Sequence, residues 1–210
     1  MAGARPRARP RVRARCHSHP PHTHHTHAPN RARARQDEDA YAELNRFKAA
    51  LHAMYAARGE GVVFLETALL PGGRAAQWRH AAVHVVPMGA ELFEDAHLFF
   101  RKAIEEEGEW ATNKRLIETA GKGLRGAIPR GFSYFHVAWA GGGFVHPIEN
   151  EAKFPEDWGL DVAAGMLGQA PARFGRKEGA AARAPQAEHD AVREFCKGWK
   201  PFDFTTALEH

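Results

Sequence analysis

In the segment RHAAVHVVPM, His80, Ala82 and His84 occupy alternate positions. On a β-strand such positions share one face, so a row of imidazoles there would line up against a single phosphate. In that arrangement one ring attacks phosphorus while its neighbours hold protons and fix the tautomer. The middle place here is a methyl group, which cannot attack. His80 and His84, on one face, could contact phosphate or RNA, against the alternative of ordinary packed or surface histidines.

Two further groups could carry chemistry. Lys114, Arg115, Lys122, Arg125 and Arg130 form the densest basic cluster outside the N-terminal segment. They could neutralise backbone phosphates without reading bases, or form a solvated helix face and loop. Beside them Phe132, Tyr134, Phe135, His136 and Trp139 offer aromatic faces suited to single-stranded bases, although strand alternation buries some of them. His136 and His146 fall on the two arms of an expected hairpin, which suggests a second polar site. No metal-ligand spacing accompanies any of these residues, and no cofactor is expected.

Charge narrows the reading. The 210-residue chain carries a formal +4, yet Met1–Arg35 holds nine arginines and no acid, so the remainder is at −5. Nucleic-acid binding by the body must then rest on local clusters rather than on overall charge. Residues 1–36 contain almost no large apolar side chains, and burial cannot offset the entropy of ordering them. A disordered Arg/His/Pro-rich tail is expected there, acting as a phosphate contact or import signal, or supplied by a wrong first exon. No apolar run reaches the roughly 20 residues of a membrane span. The two cysteines, Cys16 and Cys196, suggest neither a disulfide framework nor a metal knuckle.

The elements that must position these residues follow from periodicity. Tyr41, Leu44, Phe47, Leu51, Met54 and Tyr55 repeat on one face, predicting a helix from Asp37 that ends at Gly59. VVFLETALL predicts a buried strand and Trp78–Met88 its partner, stopped by Pro87. ELFEDAHLFFRKAIEEEGEW returns to helical spacing, and a second helix is expected over Asn113–Thr119. FSYFHVAWA and GFVHPIEN flank three glycines, the layout of a β-hairpin. Helices follow at 158–167 and 186–199, and Trp199, Phe202 and Phe204 should anchor the C-terminus. Gly121, Gly123 and Gly126 lack the preceding strand of a phosphate-binding loop and read as loop flexibility. Helices interleaved with hairpins give an α+β class.

Four stretches carry a resemblance: FFRKAIEEEGEWATNKRLIE, IPRGFSYFHVAW, GGFVHPIENEAKFPEDWGLDVAAGMLG and WKPFDFT. Together they resemble the CwfJ C-terminal-domain family of splicing factors, in family order. The part before them looks like the end of that family's first module, which is similar to the histidine-triad fold. The resemblance places His80, Ala82 and His84 at the triad positions, with alanine where the nucleophile should stand, so the triad it implies is degenerate. The resemblance implies a partial histidine-triad-like module over 37–95 joined to a second small α+β module over 96–207. The place of the first module's early strands is occupied by the His/Arg-rich tail.

The family setting implies a nuclear, non-catalytic spliceosome-associated factor that binds RNA, including branched intron lariat, together with spliceosomal proteins and the lariat debranching enzyme. No membrane partner is implied. Two other readings stand beside it: a histidine-triad-like nucleotide hydrolase or transferase using His84, or a phosphodiesterase-related activity, and a truncated fragment that does not function alone.

Overall fold

The computed structural model describes residues 31–69, 82–106, 116–169 and 185–208. The chain divides into two compact units, Met1–Asp39 and Ala40–His210. In the first, the described residues are helical. The sheet, the helices packed on it and every described site residue belong to the second.

The first helix, α1, runs Arg31–Ala56. It starts six residues before the expected start at Asp37, so residues 31–36, assigned to the tail, are helical. Alternating arginine and alanine explain the correction, because both are strong helix formers even where no apolar face is present. Gly59, at φ +75°, turns the chain out of the helix as expected. The rest of the expected tail lies outside the described residues.

Strand β1 (Glu60–Ala68) then pairs antiparallel with β2 (Val83–Gly89). Pro87 does not stop β2. It sits inside it, opposite Val62, and β2 is an edge strand, where a missing N–H is tolerated. Helix α2 (Ala90–Glu106) follows, and α3 is the single short turn Gly123–Ala127, within a stretch read as loop. The helix expected over Asn113–Thr119 is not formed across its described part. Ile117–Glu118 is instead strand β3, paired with Val145 and Phe144. The hairpin is as expected: β4 (Tyr134–Trp139) and β5 (Gly142–Pro147) turn at Gly141, φ +82°. Helices α4 (Trp158–Met166) and α5 (Pro185–Trp199) complete the order, with short 3-10 turns at Lys200–Phe202 and Thr205–Leu208.

The class is α+β, with one five-stranded antiparallel sheet in the order β2-β1-β4-β5-β3. Pairing of β1 with β4, Phe64 against Ala138 and Ala68 against Tyr134, makes the sheet continuous across the two modules expected from sequence. Their boundary at 95/96 falls inside α2.

Alternation assigns the two faces. Val63, Leu65, Met88, Phe135, Val137 and Phe144 point toward α2 and α4 and form the main core with Phe100, Trp158 and Ala163. Phe135 meets Trp158 edge-on at 4.8 Å. Burial of these large side chains is worth about 1.5–3 kcal/mol each and is the main force holding the sandwich. The opposite face carries Val62, Phe64, Val85 and Ala138 under Leu51, Met54 and Tyr55 of α1. Trp199 and Phe202 close this second core. Phe204 lies 4.8 Å from Phe47, with the Arg46 guanidinium 4.2 Å over its ring.

Candidate functional site

The face under α1 opens into a cleft of about 500 Å³. One wall is a stripe of α1: Tyr41, Asn45, Lys48 and His52 stand at intervals of four, three and four residues, which brings them to one side of the helix. The opposite wall is the segment from Thr119 to Leu124, and the β4–β5 turn closes the end. The floor is the sheet itself, with Phe64, His136 and Ala138.

His136 is 5% exposed, and neither ring nitrogen has a hydrogen-bond partner. Behind it, across the β1–β4 pairing, stands Glu66. The Glu66 Oε2 atom is 4.0 Å from His136 Nδ1, beyond hydrogen-bond reach, and is itself unpaired. Glu66 Oε1 accepts a hydrogen bond from the Tyr134 hydroxyl at 2.6 Å. Burial disfavours the imidazolium and the Lys48 ammonium adds repulsion, so the His136 pKa is pushed down to about 3. The ring is neutral at physiological pH. Burial also lowers Lys48, opposed by the charge of Glu66. Tyr134 is raised by burial first and then by Glu66, which keeps its proton on the hydroxyl that donates.

His136 and His146 do not meet. His146 of β5 pairs with Phe135, and His136 of β4 with Val145, one position along, so the two imidazoles point to opposite faces of the sheet. The second polar site expected from them is replaced by one built around His136 alone. His146 is buried on the face that also carries Phe135.

The described members of the row expected to be a degenerate triad also lie away from the cleft. His84 is exposed and pairs with Leu65, which places it on the face of Leu65 and Val137, opposite His136. Ala82 is exposed just before β2, and His80 lies outside the described residues. Of the basic cluster, Lys114 and Arg115 lie outside the described residues. Lys122, Arg125 and Arg130 are exposed on the segment that includes α3. Lys122 stands between Gly121 and Gly123 of the cleft wall, and the Arg125 guanidinium lies 4.1 Å over the ring of Tyr41. Arg130 adjoins a second hollow, of about 790 Å³, lined by Ile117, Ile128 and Phe132. Of the aromatic group, Phe135 is core, Phe132 is exposed and Trp139 borders the cleft. Gly121 and Gly123, read as loop flexibility, both have positive φ and line the wall.

The α1 stripe and Glu66 were not legible as site residues. A polar stripe beside the apolar face of a helix is the signal that could have found Asn45, Lys48 and His52. Glu66 is one polar residue at the end of an apolar strand, and only strand pairing reveals its neighbour.

Comparison with known families is informative for both halves. Residues 21–101 match the family described as "Protein similar to CwfJ C-terminal", and residues 109–205 match "Protein similar to CwfJ C-terminus 2". The chain belongs to the CwfJ/CWF19-like family. It is 38% identical over 176 residues to CWF19-like protein 2 of Danio rerio, covering 80% of this chain and 17% of that protein. With the CWF19-like protein 2 homolog of Drosophila melanogaster the figures are 39% over 174 residues, 80% and 24%. With CWF19-like protein 2 of Homo sapiens they are 34% over 176 residues, 83% and 19%. The chain thus spans a quarter or less of the length of these relatives. The junction between the two matched segments falls after Arg101, in the last part of α2, and both contribute strands to one sheet. Among the described residues no helix is long and apolar enough to cross a membrane, and no group of three metal-ligating side chains is assembled.

Proposed function

We propose that the folded body is a non-catalytic RNA-binding part of a nuclear splicing factor, engaging RNA and protein in late, intron-lariat complexes. The observation that carries the reading is the position of Lys122 and Arg125. Both are on the segment that includes the cleft wall, and the Arg125 guanidinium lies over the ring of Tyr41, which lines the cleft together with Phe64 and Trp139. Cations that follow a phosphate backbone next to aromatic faces are the usual composition of a single-strand binding surface. The family setting supplies the RNA, and the alanine at position 82 argues against turnover by a histidine triad.

The test is fluorescence anisotropy of the full chain with a labelled branched RNA and its linear counterpart, at low and moderate salt. Binding that weakens as salt rises and favours the branch is the expected result. A folded sample that binds neither RNA sinks the proposal.

A further inference from the structure

Among the described residues, the buried side-chain nitrogen and oxygen atoms without a partner are His52 Nδ1, Glu66 Oε2, His136 Nδ1 and His136 Nε2. They are not scattered. His52 and His136 both line the cleft, and Glu66 stands directly behind His136. An unpaired buried polar atom has given up its hydrogen bond to water without replacing it, so a cluster of them at one cavity marks the place where a ligand completes the hydrogen bonding.

The shape and chemistry of the cleft restrict that ligand. Tyr41, Phe64 and Trp139 supply flat apolar surface. Ala49, Ala120, Ala138 and the glycines between them keep the space open. The floor is a neutral imidazole. The Glu66 carboxylate lies 4.0 Å from Nδ1, too far for a hydrogen bond, but its negative charge on that side of the ring favours the tautomer of His136 with its proton on Nδ1, leaving Nε2 as an acceptor. The complementary ligand is a flat ring that presents an N–H donor at its edge. About 500 Å³ is ample for one such ring with its sugar.

The geometry points to a pocket for one unstacked RNA nucleobase, inserted between the α1 stripe and the Thr119–Leu124 wall with its donor edge toward His136, whose nitrogens are covered by surrounding atoms and reach the base by a small turn of the ring. The sugar and phosphate then lie at the mouth beside Lys122. This rests on the RNA-binding reading above and deepens it. The base is held on the face of the sheet opposite His84, so the pocket is not the triad site.

A short RNA carrying 2-aminopurine at one unpaired position, mixed with the full chain, tests this through two readouts. Anisotropy reports RNA binding, and 2-aminopurine emission reports the surroundings of that base. Two variants are compared with the parent chain. His136→Phe removes the ring nitrogens but keeps a flat side chain, and Ala120→Trp blocks the cleft from an exposed wall position outside the core.

The expected result is a change in 2-aminopurine emission on binding that both variants abolish, with RNA affinity about tenfold weaker, as loss of one base contact implies. If RNA binds and emission is the same in all three proteins, the pocket assignment is overturned while the RNA-binding reading stands. If a folded parent chain binds no RNA, both fail.

Discussion

His136 is a histidine held neutral by its surroundings, and this gives a signed pH dependence. From α1 it faces Lys48 and His52, and from β1 it faces Glu66, which Tyr134 engages from β4 itself. The folded pKa lies near 3, below the ordinary 6.5. Above pH 6.5 the ring is neutral in both folded and unfolded chains, and its contribution is constant. Between 6.5 and 3 the unfolded chain takes up a proton that the folded chain refuses. Stability therefore falls with falling pH across that window, by up to about 1.4 kcal/mol per pH unit from this group. Thermal melts of the parent chain from pH 7 to pH 4 should show this loss, and His136→Phe should show a shallower one. Equal slopes would mean that the ring takes up its proton within the fold. The same variant should melt no lower than the parent at pH 7, since it removes two buried atoms that lack partners. At this scale the sequence was half legible. His136 could be picked out by type and by the aromatics around it, but its opposition to Glu66 depends on the register of β1 against β4, residues 66 to 74 apart in sequence.

Helix α2 packs on β1 through a close approach at Gly61. A Cβ there would stand 2.0 Å from the Phe93 ring, so the absence of a side chain is what lets that ring lie on the strand. Gly61→Ala should cost about 1–3 kcal/mol by denaturant unfolding, the usual penalty for overfilling a packed contact. In a Phe93→Ala background the same change should cost much less, and a double-mutant cycle measures the difference. Additive costs would place the strain elsewhere. Element by element, the strands of the hairpin were readable because β-branched and aromatic residues alternate around glycines that a tight turn requires. The two-residue strand β3 was not, since Ile117 and Glu118 have no strand signal of their own and are extended because β5 offers them an edge. Residues 31–36 misled for the opposite reason. Composition without apolar residues argued against structure, whereas arginine and alanine need little packing to continue an existing helix.

Over the whole molecule, the C-terminal segment returns to the first helix. Trp199 and Phe202 pack on the core formed by Met54, Tyr55, Val62 and Phe64, and Phe204 packs at a tilt against Phe47. Deleting residues 199–210 should therefore lower stability by about 3 kcal/mol or more, by analogy with removing a single large buried aromatic, and thermal melting would show it. An unchanged melting temperature would mean that this cluster is decorative. The α+β class and the family were legible because motifs and periodicity are local. The single sheet was not, because the pairing that unites it joins distant parts of the chain. That pairing has a consequence for assembly. Strands β1 and β2 come from one segment and β3 to β5 from the other, with β1 and β4 meeting edge to edge in the middle. Each segment alone would end on an open strand whose natural partner is the other segment. A chain severed between Glu106 and Leu116 should behave as two complementing halves, poorly soluble apart and recovering the fold when expressed together.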